Sequence, residues 1–135
     1  MPARALPSSI AAAMADYSDA QRDTLLALRA LILDVADRTE GVGPVEETLK
    51  WGQPAYLAQS GTTVRLAAAR GDDGAVGVYT SCQTPLVANF ALEHGSRFTY
   101  DGGRGIHVAV GAALPVLELS DFFESALTYK LQRRR

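Results

Sequence analysis

Residues 62–81 read TTVRLAAARGDDGAVGVYTS, two runs of strand texture parted by five turn-forming residues. A parallel return needs a crossover of roughly a dozen residues or more, so strands this close in the chain must pair antiparallel. The same texture appears just upstream in PAYLA. Downstream, RFTY and GIHVAV close around DGGR, whose glycines permit the positive backbone angles of a tight turn. An antiparallel sheet with short connections therefore organises the chain.

Helical periodicity flanks that sheet. Residues 8–16 predict a short helix opened by a serine, and Asp19 is the expected cap of a longer one reaching about Thr39. On it Leu25, Leu28, Ile32 and Val35 recur at helical spacing and form one apolar face. The breaker GVGP at 41–44 puts Pro44 in the first turn of a third helix through Trp51, with Glu46 and Glu47 at the positive end of its dipole. Thr84 and Pro85 open a helix to about His94. A last helix, from about Val116 to Leu131, turns Leu119, Phe122, Phe123, Ala126 and Leu127 toward the sheet. The expected class is α+β, an antiparallel sheet of about five strands covered by N-terminal and C-terminal helices. Its bounds are an N-terminal segment over 1–18, one domain over 19–131 and a basic tail over 132–135.

With 135 residues, 47% of them hydrophobic, and a formal net charge of -2, the chain can bury a core and lacks the basic balance of a nucleic-acid binder. The single cysteine, Cys82, excludes an internal disulfide. No apolar run approaches the roughly 20 residues of a membrane span, and the N-terminal stretch does not read as a signal peptide. The cytoplasm is the expected address, with neither a membrane nor nucleic acid as partner. The terminal RRR after Lys130 reads as a solvated tail.

There is no G-x-S-x-G elbow and no phosphate-binding G-x-x-x-x-G-K-[ST] loop, so no residue is assigned a catalytic role. Cys82 precedes a predicted helix, a position that can favour the thiolate, yet a small cysteine at a strand end also packs as a compact hydrophobe. His107 faces away from Ile106, Val108 and Val110, and His94 closes a helix; neither stands at the spacing of a metal pair. The densest motif is EETLKWGQPAY at 46–56. Lys50 near a helix end, Gly52 in a left-handed cap and Pro54 as a stop explain it structurally. Trp51 and Tyr56, flanked by Glu47 and Lys50, can equally wall a ligand pocket, because each aromatic offers apolar area and a polar handle.

The pattern E-x-x-K-W-G-x-P-x-Y, here Glu47, Lys50, Trp51, Gly52, Pro54 and Tyr56, resembles the YdhG-like family of bacterial domains of unknown function. The order of elements is similar from about Asp19 to Leu131. The resemblance implies a layout similar to frataxin and an iron-chaperone role, with no catalytic residues to carry over. The chain departs from the family pattern over 83–110, where EHGSRFTYDGGRGIHVAV is glycine-rich. Under the iron reading the donors are Asp19, Asp23, Asp34 and Asp37, which share a roughly 60° arc of the long helix opposite its apolar face. The same stripe is also what a solvated helix face looks like. The leading expectation is a non-enzymatic domain binding a small ligand, a metal or a partner protein. Two others stand beside it: an enzyme or sensor with a pocket near Trp51, Tyr56, Tyr79 and Cys82, and a protein-interaction module using a strand edge or the Trp51 joint.

Overall fold

The computed structural model describes residues 4–133. Its elements run α1 (Ser8–Ala13), α2 (Asp19–Arg38), β1 (Val45–Lys50), β2 (Gln53–Ala58), β3 (Val64–Ala68), β4 (Ala75–Tyr79), α3 (Leu86–His94), a 3-10 turn (Gly95–Arg97), β5 (Thr99–Asp101), β6 (Gly105–Ala109), α4 (Val116–Leu127) and α5 (Tyr129–Arg133). One sheet of six strands in the order β1-β2-β3-β4-β6-β5 is antiparallel at every pairing. The α+β class and the antiparallel sheet match the expectation; the strand number is six rather than about five. No helix among the described residues is long and apolar enough to cross a membrane. Of the basic tail, Arg134 and Arg135 lie outside the described residues.

The extra strand is the segment expected as a third helix. VEETLK forms β1, and Lys50 pairs with Gln53, so Trp51 and Gly52 alone make the turn into β2. Their φ values of 59° and 74° are both positive, as a type I′ hairpin turn requires to follow the strand twist. Six residues are too few for a helix to nucleate without tertiary help, whereas a partner strand in register satisfies every other amide at once. Pro54 sits in β2 opposite Leu49.

Several caps also differ. Ser18, not Asp19, caps α2: its hydroxyl accepts from Gln21 N at 3.1 Å while Gln21 Oε1 accepts from Ser18 N at 3.2 Å, a reciprocal capping box. Pro7 and Pro85 occupy the cap positions of α1 and α3 with no side-chain bond, and Thr84 Oγ1 donates to Ser81 O instead. The last helix breaks at Thr128 into α4 and α5.

Alternation along each strand divides the sheet into two chemically different faces. Val45, Tyr56, Val64, Leu66, Val76, Val78, Ile106 and Val108 point to the inner face, where they form one core with Leu25, Leu28, Ile32 and Val35 of α2 and with Leu119, Phe122, Phe123, Ala126 and Leu127 of α4. Each of the larger side chains contributes about 1.5–3 kcal/mol on burial. The outer face takes no part in that core. It is paved with Ala55, Ala67, Ala75, Gly77 and Gly105, which leave a shallow floor.

Candidate functional site

The four residues expected to bind ligand split between the two faces. Glu47 and Tyr56 are cross-strand partners on the inner face, beneath α2. Tyr56 is fully buried and its hydroxyl donates to Glu47 Oε2 at 2.7 Å. Arg29 of α2 closes the group, donating from Nε to Glu47 Oε2 at 2.6 Å and from Nη2 to Oε1 at 3.0 Å. The same guanidinium reaches the carbonyls of Arg4 and Ala5, tying down the N-terminal segment. Burial alone would raise the Glu47 pKa, but the bonds from Arg29 and Tyr56, with the charges of Arg29 and Arg4, outweigh it and hold the carboxyl below its ordinary range. Burial, followed by the Glu47 bond and charge, raises the Tyr56 phenol far above its usual value. Every strong polar group here is satisfied internally, so Glu47 and Tyr56 join helix to sheet and are not open to a ligand.

Lys50 and Trp51 lie on the other side. Lys50 is exposed on the outer face, and Trp51 is 90% exposed at the hairpin tip. Trp51 is the only non-glycine with positive φ among the described residues. A bulky side chain in the left-handed region costs roughly 1–3 kcal/mol, and exposing an indole forfeits its burial. Neither cost is repaid by packing.

Trp51 borders a cavity of about 640 Å³ on the outer face, lined also by Gln53, Arg65, Arg70, Tyr79, Asp101, Arg104 and His107. Tyr79 is part of its lining, with its ring lying against two glycines. A methyl on Gly77 would collide with that ring, and one on Gly105 would come within 2.6 Å of it. Arg65 places its guanidinium 5.6 Å from the Tyr79 ring centre and donates from Nη1 to Gln53 Oε1 at 2.6 Å. Arg104 meets Asp101 only at 3.9 Å, and Arg70 makes no hydrogen bond or ion pair among the described residues. Burial raises the Tyr79 pKa and Asp101 adds to the rise, while Arg104, Arg65 and Arg70 oppose it. One hydroxyl thus feels all four charges. His107 lines this cavity and the neighbouring one, and its Nε2 is buried with no hydrogen-bond partner among the described residues.

Three cations against one carboxylate leave this cavity with an excess of positive charge, in a chain whose net charge is -2. A second cavity of about 370 Å³ at the far end of the sheet is different: its Arg97 is paired with Glu118 at 2.8 Å, and Asp72 adds a further carboxylate. Charge there is compensated.

The acidic stripe does not gather into a metal site. Asp19 pairs with Arg22, and Asp34 with Arg38 at 3.0 Å. At 1.5 Å per residue Asp19 and Asp34 stand about 22 Å apart along α2. Among the described residues no group of three or more His, Cys, Asp or Glu is placed to hold a metal ion, so the donors do not fit iron. The pocket imagined near Trp51, Tyr56, Tyr79 and Cys82 is divided: Trp51 and Tyr79 share the outer cavity, Tyr56 is behind the sheet, and Cys82 is exposed beyond β4.

The arginines of the outer site escaped sequence reading because Arg65 of β3 and Arg70 of the turn after it meet Arg104, which comes from the β5-β6 turn more than thirty residues on. Strand parity carried the usable signal: Arg65, Tyr79 and His107 all alternate away from the apolar positions of their strands. Comparison with protein-family models, curated proteins and solved structures gives no match, so function rests on the chemistry of this face.

Proposed function

We propose that this chain is a non-enzymatic binding domain that takes a small organic anion on the open face of its sheet. The carrying observation is the convergence of Trp51, Tyr79, Arg65, Arg70 and Arg104 on one cavity whose positive charge is unbalanced. At about 640 Å³ it falls within the usual size range of small-molecule sites. Guanidinium forks match carboxylate and phosphate oxygens, and aromatic walls exclude water from that contact. Non-enzymatic binding is favoured because neither potential base in the lining, His107 or Asp101, makes a side-chain hydrogen bond among the described residues that would activate a nucleophile.

The long helix α2, the C-terminal helix α4 and the antiparallel sheet between them in the chain support a YdhG-like domain of frataxin-like layout, and the motif at Glu47 to Tyr56 supports it too. Within that reading the motif has two jobs. Its Glu47 and Tyr56 anchor β1 and β2 beneath α2, and its Trp51 presents an aromatic wall to the ligand.

Titration of the native protein with phosphate, citrate, benzoate and adenosine monophosphate, followed by amide NMR, tests the reading. Shifts confined to β3, β4, β6 and the β1-β2 turn are expected for at least one anion, and charge reversal in Arg70→Glu should weaken them. Shifts that are absent for all four, or that cluster on α2, would remove the outer face as the site.

A further inference from the structure

We propose that the ligand of the outer face is a phosphate monoester of a planar aromatic heterocycle, its phosphate held by Arg65, Arg70 and Arg104 and its ring stacked on the Trp51 indole. This deepens the anion-binding reading and rests on it. Two observations narrow the anion to this class.

The first is the charge count. The cavity lining carries Arg65, Arg70 and Arg104 against Asp101 alone, and Asp101 stands off from Arg104 at 3.9 Å. A single carboxylate would leave much of that field unanswered, whereas a phosphate monoester brings close to two negative charges and three acceptor oxygens at neutral pH. Arg65 commits Nη1 to Gln53, which fixes the guanidinium and leaves its remaining donors for an incoming oxyanion. Arg70 has no competing partner among the described residues.

The second is Trp51. A hairpin turn with positive φ at both central positions is best served by Asn-Gly, yet here the first position carries an indole that is 90% exposed. Nothing in the core holds it. An exposed aromatic plate beside an arginine cluster is how proteins receive a flat ring attached to a phosphate, because stacking accepts any π-face while the cations take the charge. The cavity holds one such molecule rather than a chain of them, and the net negative charge of the protein also disfavours a polyanion.

The test uses the full chain and its single tryptophan as the reporter, with calorimetry in parallel. Probes are adenosine monophosphate, pyridoxal 5′-phosphate, adenosine, inorganic phosphate, benzoate and a single-stranded RNA hexamer. Support requires that one or both phosphorylated ring compounds bind at least tenfold more tightly than adenosine, phosphate or benzoate; which of the two binds separates a nucleotide from another phosphorylated heterocycle. Trp51→Asn, read by calorimetry, should weaken that binding roughly tenfold or more, on the scale of one base–aromatic stack, while the hairpin folds as before. Arg104→Gln should weaken it too, and Glu46→Gln, outside the cavity, should not. Benzoate binding better than the phosphorylated compounds would overturn this inference and leave the anion reading standing. No binding by any anion would overturn both. A hexamer far tighter than the monophosphate would replace the small ligand by nucleic acid, and unchanged affinity in Trp51→Asn would remove the stacking role.

Discussion

Glu47, Arg29 and Tyr56 show what a single buried charge does to a small fold. The Glu47 side chain is only 3% exposed, and removing its charge strands the Arg29 guanidinium in a desolvated position. Glu47→Gln should cost about 3–5 kcal/mol of unfolding free energy in chemical denaturation. A cost below about 1 kcal/mol would show the pair to be solvent-screened. The pH dependence follows from the direction of the shift. Because the Glu47 carboxyl titrates lower in the fold than in the unfolded chain, its contribution is fully present above the ordinary carboxylate range and is lost as pH falls through its lowered native value. The acid limb of the stability curve should therefore flatten in Glu47→Gln relative to the native chain; an unaltered limb would assign acid sensitivity to other carboxylates. Trp51 presents the opposite case, a residue whose local fit is poor. Asparagine tolerates the left-handed region, so Trp51→Asn should raise stability by about 1 kcal/mol. Loss of stability in that variant would mean that the indole packs in solution.

At the scale of elements, the β3-β4 hairpin and the β5-β6 hairpin were legible because turn-rich pentads and tetrads interrupt β-branched runs. The apolar faces of α2 and α4 were legible because their periodicity extends over three or more turns. The β1-β2 hairpin was not. Trp-Gly is an unusual type I′ pair, and Pro44 followed by two glutamates mimics a helix start, so local cues favoured the wrong element until a partner strand was available. Reading that turn correctly also reveals the buried triad, since Glu47 and Tyr56 are equidistant from it and must be cross-strand neighbours on one face. The outer site depended on something no local pattern reports, the use of Gly77 and Gly105 as a bed for the Tyr79 ring. Gly77→Ala forces that ring off the sheet and should cost about 1–3 kcal/mol, with loss of the Arg65 contact. The check is thermal unfolding together with the NMR shift of the Tyr79 ring protons; a variant as stable as the parent with unmoved ring signals would show that the strand yields instead.

For the molecule as a whole, the sheet separates an acidic stripe, partly paired with arginines of its own helix, from a group of arginines in excess over its one carboxylate. The exposed aspartates of α2, Asp19, Asp23, Asp34 and Asp37, lie on the helical side, while Arg65, Arg70 and Arg104 gather on the bare side. A chain with a net charge of -2 therefore presents a positive concavity to solution, and low-dielectric walls focus that field on the cavity mouth. Exposed charges lose influence beyond about 30 Å at 0.01 M salt and beyond about 8 Å at 0.15 M. The guanidinium contacts made inside the cavity are screened less. Raising salt across that range should then slow association of an anionic ligand severalfold while changing its dissociation rate little, a pattern stopped-flow tryptophan fluorescence can resolve. Arg70→Glu, which inverts the one arginine of this cavity with no partner among the described residues, should remove most of the salt dependence of the association rate. A dissociation rate that carries the whole salt effect would mean instead that affinity comes from rim ion pairs and that the field of the face does no steering.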